Sequence, residues 1–130
     1  MCDRRMGIVG VGTDMCAVSR IAKAIEKEHF YKSVYLDGER AYLEAKGRGK
    51  AESAAAMFAA KEAVAKALGT GFAKGVGVSM IEVTHEESGA PGVILHEGAK
   101  ARLDAVGGRR VLLSLTHEGD MALAFAVIEG

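Results

Sequence analysis

The sequence predicts an α+β protein in which helices pack on a small, mainly antiparallel sheet. Two segments in the first half carry helical spacing or alanine-rich composition, whereas the second half holds several short runs rich in β-branched and apolar residues. The last two of those runs are joined by His117-Glu118-Gly119-Asp120, a connection of hairpin length. Helices come first and strands mostly later, which favours an antiparallel sheet over a doubly wound parallel one.

The elements follow in order. Met6 to Thr13 is short and rich in Gly and Val and predicts a strand or extended entry. Asp14 is placed to cap a helix running to about Phe30. Val18, Ile21, Ala22 and Ile25 then form one apolar face at i, i+3, i+4 and i+7, with Arg20, Lys23 and Lys27 on roughly the opposite face. Tyr31 to Leu36 fits a short helix or an extended piece. Asp37-Gly38 is a turn signal, Glu39 to Ala45 fits one or two helical turns, and Gly47-Arg48-Gly49-Lys50 has the composition of a mobile basic loop. Ala51 to Leu68 is rich in alanine, the strongest helix former, and Gly69-Thr70-Gly71 stops it. Val76 to Thr84 predicts a strand, Glu87 to Pro91 a turn, and Gly92 to His96 a short strand. Glu97 to Val106 predicts a helix ended by Gly107-Gly108. Arg110 to Thr116 and Met121 to Glu129 are the closing strands.

A length of 130 residues predicts a single domain, 1–130. A chain this small builds one modest core, and alanine in place of aromatics leaves few bulky groups to line a private pocket. A site shared between subunits is therefore worth considering. The formal net charge is zero, so bulk charge gives no argument for nucleic acid or an anionic membrane. No long apolar run predicts a membrane span. Cys2 and Cys16 form no metal or disulfide pattern and are expected as reduced thiols. The opening MCDRRMGIVG lacks the apolar region and cleavage site of a secretory leader, so a cytoplasmic protein is expected.

Three clusters carry possible chemistry. Gly10-Val11-Gly12-Thr13-Asp14 lacks the third glycine of a dinucleotide fingerprint, because residue 15 is Met. What remains is a flexible strand end that delivers an aspartate, whose ordinary reading is a helix cap. Glu62 and Lys66 stand at i, i+4 and share a helix face, where a surface ion pair explains them. Their neighbours are mostly apolar, however, and a carboxylate and an ammonium there can serve a metal and a phosphate. Ser114 and Thr116 alternate onto one strand face with His117 at the strand end, and such groups can donate to phosphate oxygens. The ordinary reading is a hairpin with polar ends. No G-x-S-x-G surrounds Ser114, so a nucleophile elbow is absent. His29, His85 and His96 lack metal spacing and are read as surface or structural.

Taken together and in this order, these blocks resemble the holo-[acyl-carrier-protein] synthase family, the small phosphopantetheinyl transferases. The resemblance rests on Gly7-Ile8-Val9-Gly10-Val11-Gly12-Thr13-Asp14 with Arg20-Ile21, and on Phe58-Ala59-Ala60-Lys61-Glu62-Ala63 with Lys66 and Gly69-Thr70-Gly71. It closes on Ser114-Leu115-Thr116-His117 and the apolar strand Ala122 to Glu129. It implies the 4′-phosphopantetheinyl transferase fold. It also implies transfer of 4′-phosphopantetheine from coenzyme A to a serine of an acyl carrier protein, with release of adenosine 3′,5′-bisphosphate, in support of fatty acid biosynthesis.

By this resemblance Asp14 and Glu62 hold Mg²⁺, which typically takes one or two carboxylates with substrate phosphates and waters. Glu62 and Lys66 are the catalytic pair, with Glu62, or a water on the metal that it orients, as the base. Lys66, Gly69, Pro91, Thr116 and His117 are the expected coenzyme A contacts, with the Gly47 to Lys50 loop a further candidate for the 3′-phosphate by charge. Arg20 matches the motif position that docks the acidic carrier, and helical phase adds Lys23 and Lys27. Many members carry a basic residue where this chain has Met57, so one phosphate contact of the family is either missing here or supplied by another residue. The resemblance also implies a homotrimer with the site at the subunit junction.

Overall fold

The computed structural model describes residues 7–130. Cys2 and the expected strand start at Met6 lie outside the described residues. The element order is β1 (Ile8–Ala17), α1 (Val18–Ala24), α2 (Glu28–Val34), α3 (Asp37–Glu44), a 3-10 turn (Gly47–Gly49), α4 (Lys50–Ala67), a 3-10 turn (Val78–Met80), β2 (Ile81–His85), β3 (Pro91–Leu95), α5 (Glu97–Ala105), β4 (Arg110–Glu118) and β5 (Met121–Glu129). The predicted α+β class is what forms. β1, β5 and β4 make an antiparallel sheet in that order, and β2 pairs with β3 in a separate antiparallel hairpin.

α4 is the spine. Its alanines let it lie against the sheet, and Ala54, Ala55, Ala59, Ala60 and Ala63 have no exposure at all. Ala122, Ala124, Ala126 and Ile128 of β5 meet it with their side chains on the inner sheet face. β1 comes closer still. A Cβ at Gly12 would lie 2.0 Å from the Ala63 carbonyl oxygen, and one at Gly10 would lie 2.1 Å from that of Ala67. The G-x-G pattern therefore serves contact between strand and helix backbones. The helix ends as expected: Gly69 takes φ +84°, and its N–H donates to Lys66 O at 2.9 Å.

Several expectations are corrected. Asp14 caps no helix, because β1 continues to Ala17 and Asp14 pairs with Ala124 of β5. The N-terminus of α1 is satisfied from the other end of the chain. Val18 N donates to Asp120 O at 2.7 Å, and Ser19 N and Oγ donate to the Asp120 carboxylate at 2.9 and 2.7 Å. The helix expected from Asp14 to Phe30 is two helices, and the chain turns at Ile25 to Lys27 before α2. Asp37-Gly38 is the first turn of α3, with Glu39 reaching back to Leu36 N at 2.8 Å in place of a turn. The Gly47 to Lys50 segment is a 3-10 turn leading directly into α4. The first residues expected as strand after Val76 form the 3-10 turn, and β2 starts at Ile81.

The outer face of the three-stranded sheet is bare. Val11, Met15, Leu112, Met121, Leu123 and Phe125 are each 36–56 % exposed on that side. A contiguous apolar face of this kind marks an interaction surface on most proteins. Among the described residues no helix is long and apolar enough to cross a membrane.

Candidate active site

The site forms where β1 crosses α4. Strand alternation sends Gly12, Asp14 and Cys16 to the inner face, and Val11, Thr13 and Met15 outward. Gly12 keeps strand and helix in contact, so Asp14, two residues further on the same face, arrives beside the last turns of α4. There it meets Lys66, whose Nζ donates to Asp14 Oδ1 at 3.0 Å and to Thr13 O at 3.1 Å. The i, i+4 spacing offers Glu62 as the partner of Lys66, but the ion pair that forms is with Asp14, across elements. Lys66 remains half exposed, so it is free to turn toward an anion.

Glu62 completes the group. Its carboxyl is held above the usual carboxylate range by burial first, then by the Asp14 charge and a hydrogen bond shared with Asp14, against opposing pulls from Lys66 and Arg20. Two carboxyl groups thus act on each other here, and Glu62 keeps its proton more readily than a free glutamate. Cys16 lies one strand repeat beyond Asp14, buried, with Sγ donating to Ala55 O at 3.2 Å and its thiol pushed up by burial. Arg20 of α1 leans over Phe58, its guanidinium carbon 5.9 Å from the ring centroid. Arg20 also lies close enough to oppose the raised proton affinity of Glu62.

Among the described residues no group of three or more His, Cys, Asp and Glu gathers at one point. Two adjacent carboxylates that repel each other fit a hard divalent ion that completes its shell with phosphate oxygens and water. Asp14 and Glu62 would hold it.

The remaining candidates separate. Ser114 and Thr116 pair with Phe125 and Leu123 and share the bare outer face, as alternation predicts for the two of them. His117 does not join them. It falls on the inner side, where its Nδ1 is 3.9 Å from Glu52 Oε2. With Lys46, Gly49, Glu52, Ser53, Ala56 and His85 it lines a cavity of about 300 Å³ beside the start of α4. Gly69 ends α4 about two turns beyond Glu62, and Pro91 starts β3 opposite His85. Arg20 and Lys23 are exposed on α1. Lys27 is also exposed, but it precedes α2, so the helical phase that groups it with them does not hold. Met57 is fully buried in the core. It offers nothing to a phosphate, and the cavity's own cation is Lys46, beside the His85 and His117 rings.

His85 escapes sequence reasoning. It stacks on Tyr42 with ring centroids 3.9 Å apart and planes within 2°, and burial, with the Lys46 charge second, pushes its pKa down. It shares strand parity with the buried Ile81 and Val83, the one signal that points to an inward imidazole.

Known proteins match this chain over nearly its whole length. The family model of the 4′-phosphopantetheinyl transferase superfamily matches residues 10–126. The holo-[acyl-carrier-protein] synthase of Methylobacterium sp. (strain 4-46) is 46% identical over 128 residues, which covers 94% of each chain. The solved holo-[acyl-carrier-protein] synthase of Neisseria meningitidis superposes with a TM-score of 0.83 at 33% identity, covering 95% of this chain and 99% of that one. That of Bacillus anthracis, solved in complex with CoA (3′,5′-ADP), gives 0.80 at 34% identity, covering 95% of this chain and 98% of its own. On these matches across nearly its whole length, the chain belongs to the 4′-phosphopantetheinyl transferase superfamily, and within it to the enzymes of the holo-[acyl-carrier-protein] synthase family.

Proposed function

We propose that residues 1–130 form one transferase domain that moves 4′-phosphopantetheine from coenzyme A to a serine of an acyl carrier protein in the cytoplasm, supplying carriers for fatty acid synthesis. The observation that carries this reading is the Asp14–Glu62 carboxyl pair with Lys66 Nζ at 3.0 Å from Asp14. Asp14 and Glu62 would hold Mg²⁺, which would supply a Lewis acid that neutralises the diphosphate.

The chain's own groups do the rest. Lys66 swings from Asp14 to the transferring phosphoryl group and stabilises charge that develops there. Glu62, or a water that it orients, accepts the hydroxyl proton of the carrier serine. The serine oxygen forms a bond to the phosphorus that carries pantetheine. The bond from that phosphorus to the bridging oxygen breaks, and its electron pair leaves on adenosine 3′,5′-bisphosphate. The nucleotide end is assigned to the cavity lined by Lys46, His85 and His117, with Pro91 and Gly69 kept as further contacts. Arg20 and Lys23 present positive charge to an acidic carrier, and Lys27 adds to it from the start of α2.

The bare sheet face supports a homotrimer in which three sheets bury it together. Thr116 and Ser114 lie on that face, so each would meet a neighbouring subunit and contribute to a site at the junction. The test is mass spectrometry of the host's own apo carrier with coenzyme A and Mg²⁺. A gain of one phosphopantetheine on the carrier serine is expected. No gain on any apo carrier at ample Mg²⁺ refutes the proposal.

A further inference from the structure

The motif around Glu62 contains a second charged residue, Lys61, that the proposed chemistry leaves unused. Its side chain is completely buried, and so is that of its partner Glu39 on α3. Lys61 Nζ donates to Glu39 Oε1 at 2.8 Å and to Ile81 O at 2.6 Å. Glu39 also accepts from Val83 N at 2.7 Å through Oε2 and from Leu36 N at 2.8 Å through Oε1. One buried pair thus joins α4 to the start of α3 and to the backbone of β2.

Stability does not explain such a pair. Taking two charges out of water costs about what their attraction returns, and apolar replacements of similar volume are often neutral or better. Its use lies in what the rest of α4 lacks. The helix meets its neighbours mostly through alanine methyl groups, with Met57 and Val64 the larger buried apolar side chains, and small methyl groups specify its rotation less sharply than a long side chain with one fixed partner. Lys61 has a single place to put its ammonium.

We propose that Lys61 and Glu39 are positioning residues that set the rotation of α4 and so aim the Glu62 carboxylate at Asp14. Consecutive helix residues lie 100° apart, so an angle held at Lys61 is held at Glu62. With side-chain ends roughly 5–6 Å from the axis, a roll of about 10° displaces the carboxylate by about 1 Å. Mg²⁺ accepts ligands only near 2.0–2.1 Å in octahedral array, so a shift of that size is not absorbed.

The inference rests on the metal reading of Asp14 and Glu62, and the experiment separates the two. Mn²⁺ affinity is measured by water proton relaxation with coenzyme A present and carrier absent, for the parent, Glu62→Gln, Lys61→Met and the double variant Glu39→Gln/Lys61→Met. Melting temperatures are taken on the same samples. Glu62→Gln is expected to weaken Mn²⁺, and a parent whose Mn²⁺ affinity ignores this change overturns the metal reading itself. With that control in place, Lys61→Met is expected to bind Mn²⁺ roughly 10–100-fold more weakly, the usual cost of losing a group that supports a metal ligand. The double variant leaves no unpaired charge. It is expected to melt closer to the parent while keeping the weak Mn²⁺ affinity, a split that a merely structural role would not produce. In turnover, kcat falls by a similar factor while the carrier KM stays within about twofold, because α1 is untouched. Parent-like Mn²⁺ affinity in either folded variant overturns the positioning role and leaves the metal reading standing.

Discussion

Replacing Gly12 by alanine tests the geometry of the site through its backbone. Gly12 sits in β1 without a positive φ, so alanine is conformationally allowed. Local preference alone predicts a gain, since glycine in a strand interior costs roughly 0.5–1 kcal/mol relative to alanine. The contact with α4 predicts the opposite sign. The new Cβ would lie 2.0 Å from Ala63 O and 2.8 Å from Ala67 N, both rigid backbone atoms. To reach ordinary contact, which starts at 3.4 Å, β1 must retreat from α4 by roughly 1.4 Å at Gly12. Overpacking of this kind costs about 1–3 kcal/mol. Asp14 follows two residues later on the same face and moves with the strand, away from Glu62 and Lys66. A displacement near 1 Å at a reacting group costs about 100-fold in rate. Urea unfolding and the initial rate of carrier modification measure the two effects on the same protein. Gly7→Ala is the control, because nothing lies within 4 Å of its added Cβ. A Gly12→Ala protein as stable as the parent, or one that keeps parental activity, refutes a spacing role for the glycines of β1.

Glu62 keeps a proton more tightly folded than unfolded, so without metal the folded state loses stability as pH rises through the ordinary carboxylate range to the raised value. Glu62→Gln is expected to flatten that decline, seen as melting temperature against pH between about 4 and 8 in a chelator; parallel curves for the two proteins contradict it. Lys23→Glu is expected to raise the carrier KM several-fold at low salt with coenzyme A KM unchanged, and salt-insensitive kinetics equal to the parent's remove Lys23 from the docking surface. Arg20→Glu tests docking less cleanly, since Arg20 also acts on Glu62. Phe125→Asp places a charge on the bare sheet face and is expected to dissociate the proposed trimer, with light scattering as the measure. A variant that stays trimeric shows that this face is not the interface.

The legible parts of the fold are those with strong local signals. α4 declares itself by its alanine run and its glycine stop, and the β4–β5 hairpin by two apolar runs and a short polar link. The break between α1 and α2 is not legible, because Ile25-Glu26-Lys27 contains neither Gly nor Pro and the apolar spacing runs through it. The reach of β1 to Ala17 is present as alternation, with Gly12, Asp14 and Cys16 inward, but an aspartate ahead of a helical pattern reads more readily as a cap. The cap is Asp120, a hundred residues away, and no local rule finds a contact of that kind. The same limit applies to the site. Asp14 and Glu62 belong to different elements, and spacing alone gives each an ordinary explanation. Only the family resemblance joins them. His85 and the Lys61–Glu39 pair show the converse: charged or polar residues at positions whose period is apolar. Such residues are buried for a reason, and period alone does not say which partner awaits them.

Small side chains make this site possible and also make it costly. With bulkier residues at positions 10, 12, 59 and 63, β1 would stand off from α4 and two side chains as short as Asp14 and Glu62 would not meet. With alanine and glycine there, the carboxyl groups are forced together and raise each other's energy unless a proton or a cation intervenes. Lys66 meets part of that need from the protein itself, at 3.0 Å from Asp14. It is half exposed, so it can leave for a phosphate when a metal takes over the carboxylates. On the proposed reading, the stability lost by crowding two acids at a strand–helix crossing would be converted into affinity for a divalent ion and a diphosphate that relieve it.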